Sequence, residues 1–241
     1  MSPCLHPTHL TLIGYLSQYR YPYQFGPSPK SALAPIFSIC VTPLHSDILA
    51  VAPEQYSNDV GMDPAWDDKV DERLLWRGSN TGIIHRVGHA WNSSQRIRLV
   101  EMGTRRGGDT RVLLPRGPGG GSGGEGDAHG GWDSVAVGYG ENVHTSVLNA
   151  AFMDVAVVGK PIQCREPVCE ELQRLFVWRG YQSWQNAWAY KYIMDVSFHA
   201  GAALDAWLTA VKIDGNGWSA RFKRLMTSNS LIFKSTIFPE W

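Results

Sequence analysis

Apolar positions along this chain recur at two spacings, near two residues and near 3.6, and each stretch predicts an element. Leu74-Leu75-Trp76 reads as a buried strand ending at the glycine-bearing turn Arg77-Gly78-Ser79-Asn80-Thr81-Gly82. Ile97 to Met102 reads as the start of a helix with Arg96 at its mouth, and Phe152 to Val158 as a short strand. Cys169 to Phe176 places Leu172, Leu175 and Phe176 on one face, the pattern of an amphipathic helix. Tyr190 to Asp195 is strand-like. The turn Asp214-Gly215-Asn216-Gly217 then leads to a helix with Ser219 as N-cap and Phe222, Leu225 and Met226 facing a core. Ser228-Asn229-Ser230 ends that helix, and Leu231-Ile232-Phe233 begins another strand. Strand, turn, helix, strand is the α/β pattern. Nearer the start, Ala34 to Ile48 suggests a strand and a turn into His45-Ser46-Asp47, and residues 58–73 a polar loop or short helix.

Composition narrows the class. The chain has 241 residues, 44% hydrophobic and 18% charged, which describes a globular protein with a real core. Its 22 basic and 22 acidic residues cancel, so a general nucleic-acid or membrane-surface role has no electrostatic support. No apolar run approaches the ~18 to 20 residues that span a bilayer, and Met1 to Leu16 lacks the pattern of a signal peptide. Ten tryptophans and nine tyrosines fit either a thick core or carbohydrate-stacking surfaces. Cys164 and Cys169 are too close together, and too far from histidine, for zinc. A local disulfide and two buried thiols both remain open. His85 and His89 have the i, i+4 spacing of helical metal ligands, but no glutamate follows His85 and the surroundings are loop-like, so no metal is expected.

The chemistry concentrates near the C-terminus. Arg221, Lys223 and Arg224 crowd the first turns of the helix after Gly217, where the helix end is already positive. A bound anion would reverse that penalty, and the glycines would let the backbone approach it. A phosphate-bearing ligand is the first expectation. Taken singly, these cations read as a solvated helix face, Trp218 as a core anchor, and Arg77 and Ser79 as a solvated turn.

In combination, the segments resemble glycosyltransferase family 90, the capsule-associated and protein O-glucosyltransferase family. The resemblance rests on Tyr190-Lys191-Tyr192, Asp214 to Phe222, Ser228-Asn229-Ser230-Leu231, Lys234-Ser235-Thr236 and Phe238-Pro239-Glu240-Trp241. Trp76 to Ser79, Arg96-x-Arg98-Leu99-Val100 and Gln163-Cys164-x4-Cys169 add to it upstream, in the same order. It covers roughly residues 36–241 and implies a GT-B architecture of two Rossmann-like lobes. The implied activity is inverting transfer of a glucose- or xylose-type sugar from a UDP-sugar to a protein or polysaccharide hydroxyl. No metal or other cofactor is implied, in keeping with the lack of an Asp-x-Asp motif. Ser79 and Arg96 match the family's nucleotide-sugar contacts, and Asn216, Gly217, Trp218, Ser219, Ala220 and Arg221 match its loop and helix start around UDP. The family also implies the secretory pathway, often behind a membrane anchor, although neither signal nor anchor is seen in this chain.

The resemblance divides the chain into an unassigned segment 1–35, a partial N-terminal lobe 36–116, a glycine-rich loop 117–131 and a nucleotide-sugar-binding half 132–241. Three departures stand out. No carboxylate precedes Asp47, which matches a His-x-Asp turn, so the family's upstream aspartate base has no counterpart and no catalytic residue is assigned. Val196 to Lys212 interrupts what the family runs as Asp-Ile-Asp-Gly-Asn-Gly; Val196-Ser197 can encode the splice donor GTGAGT and Lys212 can end in AG, the reading expected of a translated intron. The acid-free start and the end at Trp241 suggest a fragmentary member. The readings from another class are a UDP-binding remnant without activity and, on Arg105-Arg106-Gly107-Gly108 with the glycine tract, an RNA-binding module.

Overall fold

The computed structural model describes residues 37–38, 48–50, 61–115, 137–196, 219 and 222–235. In chain order the elements are β1 (Phe37–Ser38), β2 (Ile48–Leu49), β3 (Asp71–Gly78), α1 (Gln95–Thr104), β4 (Asp109–Pro115), β5 (Val137–His144) and α2 (Thr145–Phe152). There follow β6 (Met153–Val158), α3 (Val168–Leu175), β7 (Trp178–Arg179), α4 (Trp184–Ala187), β8 (Tyr190–Val196), α5 (Phe222–Leu225) and β9 (Leu231–Ser235). The chain forms two compact units, one from residues up to Thr104 together with those from Phe152 onward, the other Arg105–Ala151.

The first unit is a mixed α/β fold around a five-stranded sheet in the order β7-β6-β3-β8-β9. Every pairing in it is parallel. Consecutive apolar residues in β3 and β6 suit such a sheet, because both of its faces are covered. On one face Trp76, Val155 and Val157 pack with Leu99 and Val100 of α1. On the other, Leu75, Tyr190 and Ile193 pack with Leu225 of α5. Ile97 of α1 meets Val168 and Leu172 of α3 in a third cluster. Leu172 and Val157 are fully buried, and each side chain of this kind contributes ~1.5–3 kcal/mol by leaving water. Gly103 lets α1 lie tightly on the sheet, since a Cβ there would sit 2.2 Å from Val155 Cγ2.

Numbered within this sheet, the strands run 3-2-1-4-5, a Rossmann-like order. The chain leaving β3 moves toward β6 and the chain leaving β8 moves toward β9. The carboxyl ends of β3 and β8 are therefore the topological switch point, the place where ligands bind in open α/β sheets.

The second unit is an antiparallel β4–β5 pair, with Asp109 opposite His144 and Pro115 opposite Val137. Thr145 closes it, its hydroxyl donating to the Gly107 carbonyl at 2.9 Å. Among the described residues no helix is long and apolar enough to cross a membrane.

Two local expectations need correction. The strand expected at Leu74 begins at Asp71, because Asp71 pairs with Tyr190 of β8, and its carboxylate takes Nη2 of Arg73 at 2.6 Å. The helix expected after Ser219 is a single turn ending at Leu225. Leu225 is buried, but Met226 lies past the helix and is 62% exposed rather than facing the core. The glycine loop 117–131, the segment 1–35 and, apart from Val196, the interruption 196–212 lie outside the described residues.

Candidate functional site

Polar side chains are buried where β3 ends. Ser79, Asn80, Thr81, His85, Ser94 and Arg96 are all more than nine-tenths buried. Arg96 stands in the first turn of α1, a turn without acidic residues. It donates from Nη1 to the Ser79 carbonyl at 2.9 Å and to the Thr81 hydroxyl. Ser79 Oγ and Thr81 Oγ1 lie 3.3 Å apart. A guanidinium at the amino end of a ten-residue helix concentrates positive potential, since the helix end adds its own.

Ser94 occupies the N-cap position of α1, for its carbonyl accepts from the Arg98 amide at 2.9 Å. Among the described residues its hydroxyl has no partner, nor does His85 Nε2. His85 Nδ1 lies 3.3 Å from the Gln163 carbonyl. A carbonyl only accepts, so the proton sits on Nδ1 and Nε2 is a bare acceptor. Burial, reinforced by Arg96, pushes the His85 imidazole down to about 4, so it is neutral near pH 7. Two buried polar atoms without partners beside a buried cation mark a place built for polar company.

At the end of β8, Asp195 is fully buried. It accepts from Ser219 Oγ at 2.8 Å and from Lys234 Nζ at 3.1 Å. Lys234 in turn lies 4.1 Å from the Phe222 ring centroid. These contacts pin Ser219 to the carboxyl edge of the sheet, at the strand next to β3.

The structure thus joins Ser79 directly to Arg96 and sets Ser219 on the neighbouring strand end. Asn216, Gly217, Trp218, Ala220 and Arg221 lie outside the described residues. The one-turn α5 alters the electrostatic reason for expecting an anion there. In so short a helix Lys223 and Arg224 fall in its last turn as well, where cations are favoured. Sequence reasoning missed Thr81, Asn80, His85 and Asp195; Asn80 and Thr81 stand in the same turn as Ser79, which was the available signal.

His85 and His89 do not share a helix: His85 makes an isolated bridge to Cys164, and His89 Nε2 accepts from Arg86 Nε at 3.0 Å. Among the described residues no group of three metal-ligating side chains occurs. Cys164 and Cys169 form a disulfide, which resolves the two readings of that pair.

No family model, curated protein or solved structure matches this chain.

Proposed function

We propose that this chain is a glycosyltransferase of the family 90 type, GT-B in architecture, that binds a UDP-sugar at the carboxyl edge of β3 and β8. The carrying observation is Arg96, buried in the first turn of α1 and bonded to Ser79 and Thr81 at the switch point of a Rossmann-like sheet. Departure of UDP builds negative charge on its diphosphate. Arg96 and the leading amides of α1 would stabilise that charge as fixed, already oriented dipoles. The acceptor is a protein or polysaccharide hydroxyl. The Cys164–Cys169 disulfide supports an oxidising compartment such as the secretory pathway.

A second reading is a UDP-binding protein without transfer activity. Calorimetric titration of the full chain with UDP, UDP-glucose and UDP-xylose, followed by a transfer assay, tests both. Heat with transfer supports the enzyme, and heat without transfer the remnant. No heat, and no rise in melting temperature with UDP, removes both. UDP at a hundred times its Kd should add about 2.7 kcal/mol of stability. Stabilisation by RNA instead would favour the nucleic-acid reading, which the net charge of +0 disfavours.

A further inference from the structure

The turn after β3 is braced by a second loop, and that loop is closed by the disulfide. Asn80 Nδ2 donates to the Ile162 carbonyl at 2.6 Å, and the Ile162 amide donates to Asn80 Oδ1 at 2.9 Å. The Gly82 amide donates to Gln163 Oε1 at 3.3 Å. The His85 amide donates to the Gln163 carbonyl at 2.8 Å, and the Arg165 amide to the His85 carbonyl at 2.9 Å. Cys164 sits in the middle of this seam and is joined to Cys169 in the first turn of α3, with Cα atoms 5.3 Å apart.

Gln163 holds φ at 51°, a left-handed conformation that a non-glycine residue keeps only when its surroundings enforce it. The enforcing groups are the seam on one side and the neighbouring disulfide on the other. The disulfide also ties the seam to α3, whose Val168 and Leu172 pack on Ile97, the neighbour of Arg96 in α1. Both cysteines are partly buried rather than enclosed in the core, which leaves the disulfide open to a small dithiol. The closed ring is short and removes less freedom from the unfolded chain than a long one would, and its direct constraint falls on this loop.

We propose that Cys164–Cys169 is a reducible clasp on the ligand site, opened by a dithiol, and that opening it loosens the turn holding Ser79, Thr81 and Arg96. A thiolate of the dithiol attacks one cysteine sulfur and expels the other as thiolate. The second thiol then displaces the mixed disulfide. The dithiol leaves as its cyclic disulfide, having supplied two electrons and two protons, and both cysteines end as thiols. The consequence for ligand binding rests on the nucleotide-sugar reading of the site; the clasp itself does not.

Amide hydrogen exchange on the full chain separates the two. The oxidised protein, the dithiothreitol-reduced protein and the Cys164→Ser/Cys169→Ser variant are compared, the variant isolating this pair from Cys4 and Cys40. Reduction and the double substitution should each speed exchange at Gly82, Ile162, His85 and Arg165 roughly tenfold, with β8 amides unchanged. UDP affinity should fall by about the same factor through linkage. Unchanged exchange at those four amides overturns the clasp, as does equal acceleration throughout the sheet, which would make the bond a general staple. Loosened amides with equal UDP affinity in both forms overturn the coupling to the site. Loosened amides in a protein that binds UDP in neither form uphold the clasp and refute the nucleotide-sugar reading.

Discussion

Arg96 reaches from the first turn of α1 to the Ser79 carbonyl at 2.9 Å, fastening a helix start to the first residue beyond β3. A lysine could keep the charge but could not reproduce the planar fork of donors. Arg96→Lys should therefore weaken UDP binding about tenfold or more, and Arg96→Ala further. Each should cost roughly 1–3 kcal/mol of stability through buried acceptors left short of a donor. Titration calorimetry and urea unfolding read the two effects separately.

His85 makes stability depend on pH. Its folded value is pushed down to about 4 by burial, so between that value and its ordinary 6.5 the unfolded chain holds the extra proton. Stability should fall as pH drops from about 6.5 to about 4, by roughly 3 kcal/mol if the shift is fully expressed. Urea midpoints measured across that window should flatten in His85→Phe, and an equal slope in the variant would refute the assignment.

A second acid-sensitive group lies on the sheet face away from α1. Asp154 accepts from Arg77 Nη2 at 2.6 Å, from Arg179 Nη1 at 3.2 Å and from the Tyr190 hydroxyl. Burial pushes its carboxyl up, but Tyr190 and Arg77 outweigh burial and hold it below the usual carboxylate range. Its stabilisation is complete above about pH 4 and is lost as pH falls through the lower folded value. Asp154→Asn should cost roughly 1–3 kcal/mol at pH 7, since it removes the carboxylate charge that bonds Arg77 and the Tyr190 hydroxyl. The variant should also show a shallower dependence of unfolding on pH below about 4, with Asp71, held low by Arg73, keeping part of it.

Gly103 should reverse the ordinary rule for helices. Alanine in place of a helical glycine usually gains about 1 kcal/mol. Here its Cβ would stand 2.2 Å from Val155 Cγ2 and 3.2 Å from Met153 Cε, in the packed core. Gly103→Ala should destabilise by about 1–3 kcal/mol in thermal or urea unfolding.

The strands β3 and β6 were legible as short apolar runs, the writing of strands buried on both faces, and β8 as an alternating, strand-like segment. The start of β3 was hidden because Asp71-Glu72-Arg73 looks like loop, and what makes it a strand is the pairing of Asp71 with Tyr190 far along the chain. The β4–β5 pair left no local signal, since its two strands flank residues 116–136 instead of a two-residue turn. At the candidate site, Ser79 and Arg96 were singled out by the resemblance. Asn80 and His85 were not, because what buries them is a seam to Ile162 and Gln163 far along the chain. Asp195 was missed for the same reason: Ser219 and Lys234 both come later in the chain.

The central place of β3 also governs how the molecule is assembled. Leu74 pairs with Met153 on one side and with Tyr192 on the other. As the polypeptide leaves the ribosome, this first strand must wait with both edges open while its neighbours are synthesised. Trp76, 1% exposed once folded, is greasy cargo in the nascent chain until β6 and α1 cover it. Chaperone capture should accordingly be strongest on chains stalled between the emergence of β3 and that of β6, and should fade once β8 has been made.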